Sequence, residues 1–546
     1  MTLPLAPLHE AVAAALPDRE AIVFRDRRLT YAEVAERSRR LANFLLDQGI
    51  TIHRPRRELE NWESGQDHVA LYMFNCNEYV EALLGGYKAR AVPFNVNYRY
   101  VREELEYLLN DADAKAIVYH GCFAPVVREV LADVPTCRLL IQVDDGSGQP
   151  LLDGAYDYEA VLAQSSPGPT GQTCEPDDLF ILYTGGTTGM PRGVLWRQAD
   201  AYLSQMGGRH DGVHETGSLD EAVERAVNKK RYTIFPSPPF MHGAGKYLAL
   251  RTLFEGNTLL IQSVTDRFDP ADVLSLAEKE RANLMLAIGD AFGRPLLDEL
   301  RRKPYDTTSL KFVTNTGAIM SKGVKAGLME MIPGLTIIDS LGSSETGIQA
   351  QNVTGAKAGV QKGDFRTMAD TRVMAEDRSR FLEPGEPETG WLAIGGRVPY
   401  GYYGDEAKTR ETFPEIDGVR YVIGGDKVRL LENGEIAYFG RDSVTINSGG
   451  EKIFAEEVEE ALKHHPAVAD VLVAGRPSER WGQEVVALVQ LANGAAPDPA
   501  ALNAEAAKHI ARYKLPKAFR FVDQVGRSAN GKPDYRWAKE QAEGAA

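Results

Sequence analysis

Tyr183-Thr184-Gly185-Gly186-Thr187-Thr188-Gly189-Met190-Pro191-Arg192-Gly193 follows the apolar run Leu179-Phe180-Ile181-Leu182. Together they read as a buried strand that delivers a glycine- and threonine-rich loop. The three glycines let backbone approach a polyphosphate, Thr184, Thr187 and Thr188 add hydroxyl donors, and Arg192 supplies a positive charge. No GK[ST] closes the loop, so it is not a Walker loop. Gly526-Arg527-Ser528-Ala529-Asn530-Gly531-Lys532-Pro533 has the G-x4-G-K spacing of one. Pro533, however, stands where a magnesium-binding hydroxyl is needed, and it cannot donate one.

Outward from that loop, short β-rich runs alternate with longer helical patterns, which predicts α/β layers. Val69–Phe74, Thr258–Ile261, Leu310–Val313 and Leu335–Ile338 read as strands, and a helix before Pro333-Gly334 separates the last two. Segments 52–66 and 210–231 are charged and read as solvated insertions. After Gly440-Arg441 the pattern changes. A strand-like Val444-Thr445-Ile446, a Ser-Gly-Gly turn and an acidic helix near Glu456 lead into strands at Val468–Val473 and Val485–Leu491. The expected domains are residues 1–441 and a smaller α+β unit, 442–546.

The chain has 546 residues, 43% of them hydrophobic, which suffices for a sizeable core divided into two to four units. A formal net charge of -15 gives no global attraction to nucleic acid or anionic lipid, so an anionic ligand must be held by local donors. Cys76, Cys122, Cys137 and Cys174 are scattered without CxxC spacing, which argues against zinc and disulfides. The N-terminus lacks the shape of a signal peptide, and no apolar run suffices to span a bilayer. A soluble cytoplasmic protein is expected, without integral membrane association.

The glycine-threonine loop closely resembles the phosphate loop of the adenylate-forming superfamily, which includes acyl-CoA synthetases, luciferases and peptide-synthetase adenylation domains. Further motifs follow in that family's order. They are Pro239-Phe240-Met241-His242-Gly243, Thr316-Gly317-Ala318, Leu341-Gly342-Ser343-Ser344-Glu345-Thr346-Gly347, Gly424-Gly425-Asp426, Gly440-Arg441 running into Ser448-Gly449-Gly450-Glu451-Lys452, and Asn530-Gly531-Lys532. The likeness extends from Leu29-Thr30-Tyr31 to Lys532.

The resemblance implies a large N-terminal domain of βα layers, built of several subdomains, with a small mobile C-terminal lid. ATP and coenzyme A are the implied co-substrates, and Mg2+ the implied metal. By the same likeness, Glu345 is the magnesium ligand, a residue type that suits a hard cation bridging phosphates. Asp426 and Arg441 contact the ribose. Gly317, Ala318 and the Asp339-Ser340-Leu341 segment form the adenine slot, and Ser344 lies in the nucleotide site. His242 sits by the substrate carboxylate and the α-phosphate. Lys532 is the catalytic lysine, bridging carboxylate and α-phosphate during adenylation. Ser448, Gly449 and Gly450 line the pantetheine tunnel. Two departures stand out: Arg192 replaces the usual Lys, and Val444 occupies the usual hinge position, leaving Asp442 as an alternative.

Small residues around the expected acyl site, namely Gly243, Ala244, Gly245, Ala287, Gly289 and Ala291, predict volume for a bulky acid. Phe240-Met241-His242 lacks the Asp with which peptide-synthetase domains hold an amino group. The wording of the motifs is most similar to bacterial synthetases acting on fatty, branched or steroid side-chain acids. An acyl-AMP ligase serving a carrier protein, an aryl-CoA ligase and a non-catalytic nucleotide-binding protein remain alternatives. No nucleic-acid partner is expected, and a homodimer stays open.

Overall fold

A computed structural model of the chain describes all residues except 1–2, 185–189, 211–212, 356–363, 442–443, 449–450, 479–480, 511, 529–530 and 545–546. Among the described residues, a 14-stranded mixed sheet runs through the large domain. One half of it is parallel. Glu20–Phe24, Thr258–Ile261, Thr233–Pro236, Leu284–Ala287, Phe312–Thr316 and Thr336–Ser343 pair in that spatial order. Their residues are mostly apolar because helices cover both faces of such a sheet. The helices Gly243–Phe254 and Gly289–Arg302 are among these crossovers. From Thr336–Ser343 the sheet continues antiparallel through Gly347–Gly355 toward Val419–Leu430 and Glu435–Arg441.

A second, five-stranded parallel sheet is centred on His68–Tyr72 and Ala114–His120. Leu179–Thr184 and Arg192–Arg197 form an antiparallel hairpin, and Gly401–Tyr402 adds to its outer strand. Asn95 joins the last two sheets. Its side chain donates to the Tyr183 carbonyl at 2.8 Å and accepts from the Tyr183 amide at 3.0 Å, so it sets the position from which the glycine-threonine loop departs.

The small domain is a five-stranded sheet of Thr445–Ser448, Glu451–Phe454, Val468–Ser478, Gly482–Leu491 and Ala518–Phe521. The helices Ala455–Lys463 and Tyr535–Glu543 pack on it. Val444 packs against the core of this domain. Asp442, the alternative hinge, lies outside the described residues. Among the described residues, no helix is long and apolar enough to cross a membrane.

Among the described residues both charged segments are largely solvated, as the sequence reading has them, and each also makes specific contacts with the body of the domain. Leu219–Asn228 is a helix whose Ala222 and Ala226 are buried against the helix Leu5–Ala15. Leu219, Ala222, Val223 and Ala226 recur at helical spacing, an apolar stripe the sequence reading passed over, and Leu219 and Val223 pack against the same core. In 52–66, the Arg56 guanidinium lies 4.5 Å over the Tyr400 ring. The Gly404 amide donates to the Trp62 carbonyl at 2.8 Å. This segment therefore buttresses the stretch that carries Tyr402.

Candidate functional site

The parallel half of the large sheet explains why residues far apart in sequence meet. Pro236, Ala287, Thr316 and Ser343 end four strands that are neighbours in the sheet, and the loops after them carry His242, Gly289, Gly317 and Glu345. Crevices beyond the carboxyl ends of such strands are where open α/β sheets bind ligands. Asn315, 3% exposed, ties three of these segments together. It accepts from the Gly289 amide at 2.7 Å and donates to the Ala318 carbonyl at 3.1 Å and to Asp339 Oδ1 at 2.8 Å. Asp339 Oδ2 pairs with Lys325 at 2.7 Å, so the Asp339 side chain is engaged and its segment offers a ligand backbone groups.

Glu345 is held by two hydroxyls. Tyr402 Oη donates to Oε1 and Ser343 Oγ to Oε2, each at 3.0 Å. Burial, with the nearby Glu345 charge, pushes the Tyr402 phenol well above its ordinary pKa, so it stays a donor. The Trp196 indole donates to the Ser344 carbonyl at 2.8 Å, which pins the backbone of the same turn. No ion pair within 4.0 Å engages Glu345 among the described residues, and each carboxylate oxygen keeps a lone pair beyond its one hydroxyl bond. These donors fit a hard divalent cation held mainly by phosphate and water. Among the described residues, no group of three or more His, Cys, Asp or Glu side chains forms a metal cage.

His242 occupies the N-cap position of the helix Gly243–Phe254, with no capping bond from its side chain. Its Nε2 is enclosed with no hydrogen-bond partner among the described residues. Burial, then the charges of Lys532 and Arg99, lower its pKa to about 3, so the imidazole is neutral at pH 7. Lys532 arrives from the small domain. A Cβ placed on Gly317, whose φ is +76°, would lie 3.2 Å from Lys532 Cε. Only glycine accepts both that backbone angle and that approach without strain. A Cβ on Gly531 would likewise meet Ala291 Cβ at 2.9 Å. The small domain thus lies against the large one here, with Lys532 beside the Gly317 turn and its charge felt at His242.

Asp426 is 3% exposed and accepts from Tyr438 Oη at 3.3 Å. Its backbone pairs with that of Arg441 across the ladder of Val419–Leu430 and Glu435–Arg441, which brings the two expected ribose residues together. Thr184 and Arg192 face each other at the base of the glycine-threonine loop, and Arg192 Nε lies 3.3 Å from Asp405 Oδ2. Gly185, Gly186, Thr187, Thr188 and Gly189 lie outside the described residues, as do Gly449 and Gly450 of the expected tunnel. Ser448 is buried at the end of its strand, opposite Gly482.

The expected acyl walls need correction. A Cβ on Gly245 would meet the carbonyl oxygens of Pro239 and Pro238 at 2.7 and 2.8 Å. On Gly243 it would meet Leu182 Cδ2 at 2.9 Å, and on Gly289 both Ala318 Cβ and the Ile319 carbonyl at 2.7 Å. The space beside these glycines is filled, and their small size serves close packing instead of opening volume. Ala291 borders the lid at Gly531.

Tyr402, Trp196 and Asn315 escaped the sequence reading. Tyr402 announces itself only as part of Tyr400-Gly401-Tyr402-Tyr403-Gly404, and Asn315 only as a polar residue ending an apolar strand.

Comparison with known proteins agrees with this geometry. The AMP-binding enzyme family matches residues 9–403, and the AMP-binding enzyme C-terminal domain matches 457–532. The medium-chain acyl-CoA ligase Mig of Mycobacterium avium is 51% identical over 98% of this chain and 97% of its own. The medium/long-chain-fatty-acid–CoA/3-oxocholest-4-en-26-oate–CoA ligase of Mycobacterium tuberculosis is 41% identical over 100% of this chain and 97% of its own. Among solved structures, the anthranilate CoA ligase AuaEII in complex with anthranoyl-AMP superposes with a TM-score of 0.83 at 19% identity, covering 99% of this chain and 98% of that one.

Proposed function

Because the chain belongs to the AMP-binding enzymes and is an AMP-forming acyl-CoA ligase, we propose that its acid is a medium- or long-chain fatty acid or a steroid side-chain acid. Full-length kinship to ligases named for such acids supports this choice. The observation that carries the mechanistic reading is the approach of Lys532 to the Gly317 turn beside a neutral His242.

In the first half-reaction a carboxylate oxygen of the acid attacks the α-phosphorus of ATP. The bond to the bridging oxygen breaks and pyrophosphate leaves. Lys532 sets its ammonium against the charge shared by the carboxylate and the α-phosphate, where a preorganised donor is most effective. The uncharged His242 adds no second cation and presents Nε2 to the same space. Asp426 and Arg441 would hold the ribose. Gly317, Ala318 and the Asp339-Ser340-Leu341 backbone would hold adenine, with Leu341 giving an aliphatic face. Glu345, oriented by Tyr402 and Ser343, would hold magnesium, which supplies charge neutralisation for the phosphates.

In the second half-reaction the lid, residues 442–546, turns away. The coenzyme A thiolate attacks the acyl carbonyl past Ser448, Gly449 and Gly450, and AMP leaves. Unpaired Cys76, Cys122, Cys137 and Cys174 accord with a reducing cytoplasm.

The test is a panel of kcat/KM values for acetate, octanoate, palmitate, benzoate and 3-oxocholest-4-en-26-oate, with AMP and acyl-CoA measured as products. Octanoate, palmitate or the steroid acid is expected to lead. Acetate or benzoate in first place would refute the substrate class, and acyl-AMP accumulating unchanged beside coenzyme A would refute the acceptor.

A further inference from the structure

Behind the reacting groups, a buried charge contact joins the lid to the large domain. Lys463 closes the helix Ala455–Lys463 of the small domain, and its side chain is 5% exposed. Its ammonium lies 3.6 Å from Asp290 Oδ2 in the large domain, whose side chain is 3% exposed, and 3.8 Å from Asp470 Oδ1 in its own. Arg527 grips the same Asp470 through two bonds of 2.5 and 2.7 Å. Its Nη1 donates to the Gly531 carbonyl at 3.0 Å, one residue before Lys532. Glu459, buried in the same domain, is occupied by the Val473 amide and the Tyr535 hydroxyl.

Asp290 faces two ways. It stands in the first turn of the helix Gly289–Arg302, and its Oδ1 accepts from the Ser321 amide at 2.7 Å. Its backbone amide donates to the Ile319 carbonyl at 3.2 Å. These bonds fix the stretch that follows Gly317-Ala318, against which Lys532 lies. Oδ2 has no hydrogen-bond partner among the described residues, and the cations nearest it are Lys463 and, at 3.9 Å, Arg294. One carboxylate therefore ties the floor of the nucleotide cleft to the lid that carries the lysine.

We propose that Asp290 is a positioning residue for the first half-reaction, and that its buried contact with Lys463 latches the lid in the adenylate-forming arrangement. The inference rests on the lid-exchange reading given above. With the lid closed, removing one partner leaves the other buried charge with a single longer contact, Asp470 at 3.8 Å for Lys463 or Arg294 at 3.9 Å for Asp290, which is unfavourable. With the lid turned away both groups return to water, and neither needs the other. Loss of either partner therefore penalises the closed arrangement selectively, and with it formation of the adenylate.

Asp290→Asn keeps an oxygen for the Ser321 amide while removing the charge, and Lys463→Met removes the cation from the other domain. Each is assayed twice: for acid-dependent pyrophosphate release from ATP, and for thioester formation from synthetic acyl-AMP and coenzyme A. Each single variant is expected to lose about tenfold in the first assay and nothing in the second, and the double variant to be no worse than the poorer single one, because the two residues act as a unit. Lys463→Arg should recover most of the lost rate, separating charge from packing. Equal losses in both half-reactions, additive single effects or unchanged pyrophosphate release would overturn the latch while leaving the ligase reading intact. A wild-type chain that releases no pyrophosphate with any acid would remove the ligase reading, and the latch with it.

Discussion

Replacing Tyr402 by phenylalanine removes one oxygen atom from beside Glu345 and little else. The ring keeps its edge contact with Phe413, whose centroid is 5.4 Å away, and the Tyr402 amide keeps its bond to Thr409 Oγ1 at 2.9 Å. Glu345 keeps its bond from Ser343 Oγ but loses the 3.0 Å bond to Oε1, leaving the carboxylate free to rotate about the remaining contact. A hydrogen bond to a charged group is worth about 1.5–3 kcal/mol, and loss of a partner that orients a metal ligand typically weakens metal affinity or activity about 10–100-fold. The two estimates agree, since a tenfold change in rate is about 1.4 kcal/mol. Pyrophosphate release would be followed during a magnesium titration at saturating ATP and acid. Tyr402→Phe should raise the half-saturating magnesium concentration about tenfold, with Tm changed by no more than about 2 °C. A magnesium curve superimposable on wild type would refute the claim that Tyr402 orients a metal ligand. A large fall in Tm would show that the hydroxyl serves folding instead.

Lys532→Ala should cut adenylate formation about 10²–10³-fold, or roughly 3–4 kcal/mol, and spare thioester formation from preformed acyl-AMP. Equal loss in both assays would contradict the lid-exchange reading. His242 has a folded pKa of about 3, below its ordinary 6.5, so the unfolded chain takes up the proton first as pH falls. Its contribution to stability is complete above about 6.5 and is lost progressively toward 3. Between pH 7 and 5 the wild type should lose about 1 kcal/mol more than His242→Asn, allowing for the partly exposed ring. Urea midpoints at the two pH values would measure this, and parallel losses would disprove the assignment.

Local residue pattern was enough to mark the strand Leu179–Thr184 with its glycine-threonine loop, the alternation of strands and helices, and the change of character after Gly440-Arg441. These depend on hydrophobic period and turn residues, which act over a few positions along the chain. The order of the motifs likewise identified the family before any geometry was known. Tertiary structure decided what those motifs touch. Glu345 meets Tyr402, 57 positions later, because Thr336–Ser343 ends beside the hairpin to which Gly401–Tyr402 adds a strand. The glycines at 243, 245 and 289 suggested open volume in sequence, yet backbone and side chains from elsewhere fill the space beside each of them. The helix Leu219–Asn228 carries its apolar stripe in sequence, but only the fold sets that stripe against the helix Leu5–Ala15, more than two hundred residues earlier. Asp290 and Lys463 are ordinary charges in sequence and become a buried pair only where the small domain meets the large one. Such contacts depend on which strands are neighbours, how the crossovers run and where the lid stands, and no local pattern of residue types encodes these.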